Sequence, residues 1–182
     1  MSHWSARFIV WLSSLEFEHD YCRYYLDELI DDLDQSRAKK LDHLRKIRRI
    51  MTGNTTIQYL RTVPGIGFIT AFTFYTEIMD ITRFQKLDHL IAFIGLIPSV
   101  RASDETERIL GLTQRCNKYL RYLLIEAAWV AVRKGPALTM TMTRLLKDKK
   151  SQKAIIRIAK KLVSRIRYVW SHQQDYVLAV VE

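Results

Sequence analysis

Hydrophobic residues recur at intervals of three and four along most of this chain, a spacing typical of amphipathic helices. In residues 12–33 they form a heptad seam, made by Leu12, Leu15, His19, Cys22, Leu26, Leu29 and Leu33. The pattern is interrupted near Gln35 and Ser36 and then resumes at Leu41, Leu44, Ile47 and Met51. A long helix or a helical hairpin is predicted. Its apolar stripe needs a partner, which is either the rest of the chain or a second copy of it.

The remainder of the chain also favours helices, and no alternating strand pattern persists. Helix signals begin near Thr56, Ala71, Leu87, Thr113, Pro136 and Ser151. Thr113 is the expected N-cap of a helix that ends near Lys134, and residues 99–111 are expected to be a polar loop. The chain is therefore predicted to be all-α, with a coiled-coil-like arm over residues 1–55 and a second helical domain over residues 56–182.

Residues 63–71, with the sequence Val-Pro-Gly-Ile-Gly-Phe-Ile-Thr-Ala, indicate a tight corner that opens an apolar helix. Proline fixes one φ, and Gly65 and Gly67 permit positive φ and close backbone approach. The amides after Gly67 would then point out of the helix N-terminus, a geometry that suits a phosphate. A helix-hairpin-helix that binds a nucleic-acid backbone is one interpretation. An ordinary turn between two helices, without a ligand, is the other.

The charge distribution adds to this picture. The net charge of +10 lies entirely in residues 101–182, which contain 17 basic and 7 acidic side chains. A one-sided excess of this kind suits a polyanion such as DNA, although it is also compatible with a solvated surface. Predicted helical rows carry the cations that would contact phosphates: Arg115, Lys118 and Arg121 in one row, and Lys153, Arg157 and Lys160 in the other.

Several classes of protein are disfavoured by what the chain contains. No apolar run reaches the length needed to span a bilayer, and a signal peptide is not expected. Cys22 and Cys116 are too few and too far apart for a metal site or a disulfide framework, and they fit a reducing cytoplasm. No His, Cys or carboxylate set has metal-ligand spacing. We therefore expect no metal or cofactor site in this chain.

A longer set of motifs is more specific than any of these features. The motifs are Val63-Pro64-Gly65-Ile66-Gly67, Glu77-Ile78, Ile81-Thr82-Arg83-Phe84, Gly95-Leu96-Ile97-Pro98, Ser103, Gly111-Leu112-Thr113-Gln114-Arg115 and Asn117-Lys118-Tyr119-Leu120-Arg121. Their order and spacing resemble the C-terminal domain of insertion-sequence transposases of the 110/116/902 type, which are related to Piv-type DNA invertases. The resemblance covers about residues 57–170, and the preceding helical segment is similar to the coiled coil of that family.

The resemblance implies a serine recombinase that is guided by a structured RNA. By position, Ser103 would be the nucleophile that attacks a DNA phosphodiester, and Arg101 and Arg108 would hold phosphates beside it. The family carries a separate domain with four carboxylates and divalent metal ions, and residues 1–60 are too short for such a domain. The chain alone is therefore not expected to cut DNA, because a serine hydroxyl needs activation. Self-association through the arm is also expected.

This chain differs from the family pattern near the implied nucleophile. Asp104 and Glu105 follow Ser103 where the family has glycine, and Cys116 replaces a second family glycine. Two alternatives to DNA strand exchange therefore stand beside it. One is a non-catalytic module for nucleic-acid binding and assembly, either a remnant or a fragment. The other is a purely structural oligomerisation protein.

Overall fold

The computed structural model describes residues 4–103 and 106–178, and of residues 100–103 and 106–110 it describes the backbone alone. The chain forms two compact units, residues 1–53 and residues 54–182. Helices make up 73% of the structure, which confirms the all-α class. No helix in the described residues is both long enough and apolar enough to cross a membrane.

From residue 4 onward, the first unit contains two helices, α1 (Ala6–Ser13) and α2 (Asp20–Met51). Helix α2 has 32 residues and is about 48 Å long. It runs through Gln35 and Ser36 without a break. Lys46 pairs with Asp42 at 2.7 Å, an i,i+4 ion pair of the kind that supports an exposed helix. Of the predicted heptad seam, Leu12 lies in α1 and the residues from Cys22 onward lie in α2, so two helices share it.

The start of α2 holds the end of α1. Arg23 donates to the carbonyl oxygens of Leu12, Ser13 and Leu15 at 3.1–3.3 Å. Leu12 and Ser13 belong to the last turn of α1, where carbonyls lack partners inside the helix, and Leu15 follows the helix directly. No residue of α1 or α2 is buried within the described structure. The apolar stripe of the arm is therefore only partly covered: Leu26 and Leu33 are half-buried, whereas Leu29 and Leu41 are exposed.

Within its described residues, the second unit contains six helices, a short 3₁₀ turn and a two-stranded sheet. In chain order these are α3 (Thr55–Thr62), α4 (Phe68–Ile78), the 3₁₀ turn (Ile81–Arg83), α5 (Leu87–Ile94), β1 (Pro98–Ser103), β2 (Thr106–Leu112), α6 (Lys118–Lys134), α7 (Pro136–Leu146) and α8 (Ser151–His172). Helix α8 packs against α3, α5, α6 and α7 and is the centre of the core. Its fully buried Ile158 and Leu162 supply apolar area, at about 1.5–3 kcal/mol for each such side chain.

The predicted loop over residues 99–111 is wrong, because β1 and β2 form an antiparallel hairpin there. Ser103 pairs with Thr106 at its outer end, and Arg101 pairs with Arg108 two positions inward. The strand pattern is hidden because charged residues occupy five of the eight positions between Val100 and Ile109, without regular alternation. Exposed strands accept such residues, since strand preference depends on packing context more than on the backbone.

The predicted start of α6 at Thr113 is also wrong. Asn117 is the N-cap, and its side-chain oxygen accepts a hydrogen bond from the amide of Leu120 at 2.9 Å. Both Asn and Thr favour this position, but Asn117 lies three residues before Leu120, the first buried residue of the helix. Arg115 consequently precedes the helix and does not belong to one helical row with Lys118 and Arg121.

Candidate nucleic-acid interface

The Pro64–Gly67 corner joins α3 to α4, and its two glycines have different surroundings. Gly65 has φ +87°, and a Cβ on it would lie 2.3 Å from the carbonyl oxygen of Ala127. This glycine therefore lets the corner pack closely against α6. Gly67 has φ −87°, and a Cβ on it would meet no other atom within 4 Å. Gly67 is exposed, whereas Pro64 and Gly65 are half-buried.

Gly67 is the N-cap of α4, and no side chain caps this helix. The backbone amides of a helix's first turn lack partners inside the helix, and the helix dipole favours an anion there. A groove of about 450 Å³ lies beside the corner, and the exposed side chains of Arg61 and Lys134 contribute to its lining. These two cations were not among the predicted site residues.

The segment after α8 reaches the same groove. The amide of Tyr176 donates to Thr62 Oγ1 at 2.8 Å, and the Arg165 guanidinium lies 5.4 Å from the centre of the Tyr176 ring. Leu178 then lines the groove while remaining 56% exposed. Leu178 therefore covers part of the groove without being buried there.

The cations of α8 lie where a long polyanion could reach several of them. Lys153 and Arg157 are exposed, and Lys160 is half-buried one turn further along. All ion pairs formed between described side chains lie in the arm, so these cations have no carboxylate partner among the described residues. Their charge is therefore available to a ligand.

A second group of cations extends this surface towards α7. The turn between α7 and α8 contains Lys147, Lys149 and Lys150, of which Lys149 is half-buried and the other two are exposed. Asp148 is the acidic residue within this run. The sequence run Lys-Asp-Lys-Lys-Ser-Gln-Lys could have identified these residues as part of a basic surface.

The predicted row of Arg115, Lys118 and Arg121 separates in the structure. Arg115 and Lys118 are exposed. Arg121 is half-buried and donates from Nη1 to the carbonyl oxygens of Thr113 at 2.7 Å and Gly95 at 3.2 Å. Its guanidinium thereby holds the segment before α6 in place. Arg121 thus has a positioning contact that the sequence pattern does not reveal.

The order and spacing of the motifs have a local explanation in the packing. Asn117 Nδ2 donates to Glu77 Oε2 at 2.7 Å, which joins the end of α4 to the start of α6. A Cβ on Gly95 would lie 2.4 Å from Cβ and Sγ of Cys116. Gly95 also has φ +81° and ends α5. Glycine is therefore required at position 95 both for its conformation and for the space it leaves.

Ser103 belongs to the hairpin end, where β1 pairs with β2. The side chains of Ser103, Arg101 and Arg108 are outside the described structure, as are Asp104 and Glu105. The backbone register still places Ser103 two pairs beyond the Arg101–Arg108 pair. The predicted nucleophile and the two predicted arginines therefore belong to one hairpin.

The second unit is thus a helical domain with an exposed Gly67 at the start of α4, a hairpin between α5 and α6, and a basic surface on α8. Comparison with known proteins identifies its family. Residues 57–143 match the model of the transposase IS116/IS110/IS902 family. This match confirms the resemblance drawn from the motifs.

Curated relatives agree with this assignment. The chain is 29% identical over 139 residues to "Transposase for insertion sequence element IS1111A" of Coxiella burnetii, covering 74% of this chain and 38% of the relative. It is also 29% identical over 106 residues to "Transposase for insertion sequence element IS1328" of Yersinia enterocolitica, covering 58% of this chain and 29% of the relative. The chain thus spans about a third of the length of these relatives.

Proposed function

We propose that the second unit binds DNA during transposition of an insertion sequence and supplies a serine nucleophile for strand exchange. The observation that carries this proposal is the family match over residues 57–143, within which Ser103 stands at the outer end of the β1–β2 hairpin. An end position on a hairpin suits a group that must reach a phosphodiester on another molecule. The basic surface of α8 suits the flanking strand.

DNA contacts are assigned according to exposure. Gly67, with the amides that follow it, would bind a phosphate at the start of α4, and Arg61 and Lys134 would neutralise its charge. Lys153, Arg157 and Lys160 would bind further phosphates, and Arg115 and Lys118 would act near α6. We do not assign a direct phosphate contact to Gly65 because it packs on Ala127.

In the proposed step, Ser103 Oγ forms a bond to phosphorus while the bond from phosphorus to one strand oxygen breaks. The hydroxyl proton must pass to a base, and the departing oxygen must gain a proton. The described residues bring together no three side chains that could hold a metal ion. The family resemblance implies that divalent metal ions and the base come with a separate acidic domain. Strand cleavage by this chain alone is not expected.

The arm is proposed to join two copies of the chain. Leu29 and Leu41 of the predicted seam are 47% and 53% exposed on α2, and burying such a stripe stabilises a helix pair. Leu29→Asp with Leu41→Asp should convert an oligomer to a monomer in analytical ultracentrifugation, whereas Lys39→Asp should not. A wild-type chain that sediments as a monomer at all accessible concentrations would contradict this assignment.

The catalytic proposal is tested by trapping a covalent adduct between the protein and DNA. The full chain is combined with the acidic domain of a longer relative, supplied with divalent metal ions, and incubated with DNA carrying the ends of the element. An adduct that is absent in Ser103→Ala and retained in Ser99→Ala supports the proposal. DNA binding without an adduct would indicate the non-catalytic module, and no DNA binding would indicate a structural oligomerisation protein. A structured guide RNA and a cytoplasmic location belong to the same proposal.

A further inference from the structure

Two tyrosines lie on the solvent side of the first two turns of α6. Tyr119 and Tyr122 are each 57% exposed, whereas Leu120 and Leu124 on the opposite side are fully buried. Residues three apart on a helix are neighbours on its surface. The two phenol rings therefore present adjacent aromatic surfaces outside the core.

Several hydrogen bonds hold the start of α6, the part of the helix that carries both rings. Asn117 accepts from the amide of Leu120 and donates to Glu77, and Arg121 donates to the carbonyl oxygen of Thr113. A tyrosine has only two side-chain torsions, so a rigid helix can present its ring at low entropic cost. The backbone position of both tyrosines is therefore fixed before any ligand binds.

The charges around the tyrosines favour an anionic partner. Arg115 and Lys118 are exposed, and neither forms an ion pair with another described residue. Glu77, which accepts from Asn117, and Glu126, one turn beyond Tyr122, carry the negative charges at the edges of the patch, and Arg121 adds a third positive charge to the same part of α6. Exposed aromatic rings beside exposed cations are the combination that binds single-stranded nucleic acid.

We propose that Tyr119 and Tyr122 stack on unpaired bases of a nucleic-acid strand, while Arg115 and Lys118 contact its phosphates. This inference rests on the proposed function and adds a ligand class to it. Aromatic stacking needs exposed base faces, which a strand offers when it is single and a duplex hides inside its own stack. The surface on α6 is therefore expected to bind single strands. The surface on α8 is expected to bind the phosphate backbone of both single strands and duplexes.

The test compares binding of the full chain to a single-stranded DNA, to a single-stranded RNA of the same sequence and to the corresponding duplex DNA, all at one salt concentration. Tyr119→Ala combined with Tyr122→Ala should weaken single-strand binding about tenfold or more and leave duplex binding within about twofold. The matching Phe variant should retain single-strand binding, because stacking uses the ring and not the hydroxyl. A larger loss for RNA than for DNA would identify RNA as the source of the unpaired bases, and a larger loss for DNA would identify a separated DNA strand.

Tyr168→Ala is the matched control, since Tyr168 is 53% exposed on α8 and its ring stacks on His172 at 4.1 Å. It should leave single-strand binding unchanged. Equal losses on single-stranded and duplex ligands, a Phe variant as weak as the Ala variant, or no loss at all would overturn the stacking proposal. A wild-type chain that binds duplex but no single strand would overturn it while leaving the proposed function intact. A wild-type chain that binds no nucleic acid would overturn both.

Discussion

Gly65 packs so closely on Ala131 that a Cβ at position 65 would lie 2.8 Å from the Ala131 backbone nitrogen and 2.9 Å from its Cβ. Two small residues thus bring the α3–α4 corner directly onto α6. The same corner is open two residues later, at Gly67. The Pro64–Gly67 motif therefore has two roles: Gly65 packs against α6, and Gly67 faces solvent.

The different surroundings of Gly65 and Gly67 predict that substitution by Ala will destabilise the protein at the first position and have little effect at the second. Gly65→Ala should lower the free energy of unfolding by about 2–5 kcal/mol, because it combines a positive φ with a clash against backbone. Gly67→Ala should change stability little, because its φ is negative and its Cβ position is empty. Urea denaturation of both variants measures the difference. Equal stability of the two variants would contradict the packing role of Gly65.

The link between Asn117 and Glu77 predicts a coupled pair of substitutions. Asn117→Ala should cost about 1–2 kcal/mol of stability, because it removes both the cap of α6 and the bond to Glu77. Asn117→Asp keeps a cap oxygen but places a carboxylate against Glu77, so it should also destabilise. Adding Glu77→Gln to Asn117→Asp should restore stability, since the new amide can donate to the carboxylate. A double-mutant cycle by thermal unfolding tests this, and purely additive effects would show that the two residues are not coupled.

The carboxylate of Asp80 predicts a pH-dependent effect at the end of α4. Hydrogen bonds from the Thr82 hydroxyl, and then from its amide at 2.8 Å, hold the pKa of Asp80 below its ordinary value. A lowered folded-state pKa gives a contribution to stability that is present above the unfolded pKa and is lost as pH falls through the folded pKa. Thr82→Val should therefore raise the pKa of Asp80 in an NMR titration and reduce the loss of stability at acid pH. An unchanged pKa in Thr82→Val would be inconsistent with the hydroxyl as the main cause.

The segment after α8 predicts a gain of binding. Because we assign a phosphate to the groove beside Gly67, Leu178 competes with it for the same space. Leu178→Ser should raise the affinity for duplex DNA by about two- to fivefold, the modest size reflecting how exposed this side chain is. Val177→Ser is the control, since Val177 is 80% exposed and does not line the groove. Identical affinities for the two variants would place DNA away from this groove.

Periodicity predicted the helices of the second unit well because each of them buries apolar residues at helical spacing, as α5 does between Leu87 and Ile94. It could not predict the β1–β2 hairpin, in which charged residues break the apolar signal, or the choice of Asn117 over Thr113 as a cap. The contacts of Gly65 and Arg121 also depend on α6 and on the segment before it, which come together only in the fold. The family motifs indicated Ser103 as the nucleophile, which stays a prediction. They did not indicate that Ser103 lies at the end of a strand.

The central claim is that the cations of α8 bind a nucleic-acid backbone, and the salt dependence of duplex binding tests it most directly. The logarithm of the association constant should fall linearly with the logarithm of salt concentration, by about 0.9 for each phosphate contact. Changing Lys153, Arg157 and Lys160 together to Gln should make that slope shallower by about two to three, while the same change at Lys39, Lys40 and Lys46 of the arm should leave it as it is. An affinity that does not respond to salt, or a slope that is identical in the α8 variant and the wild type, would contradict the claim.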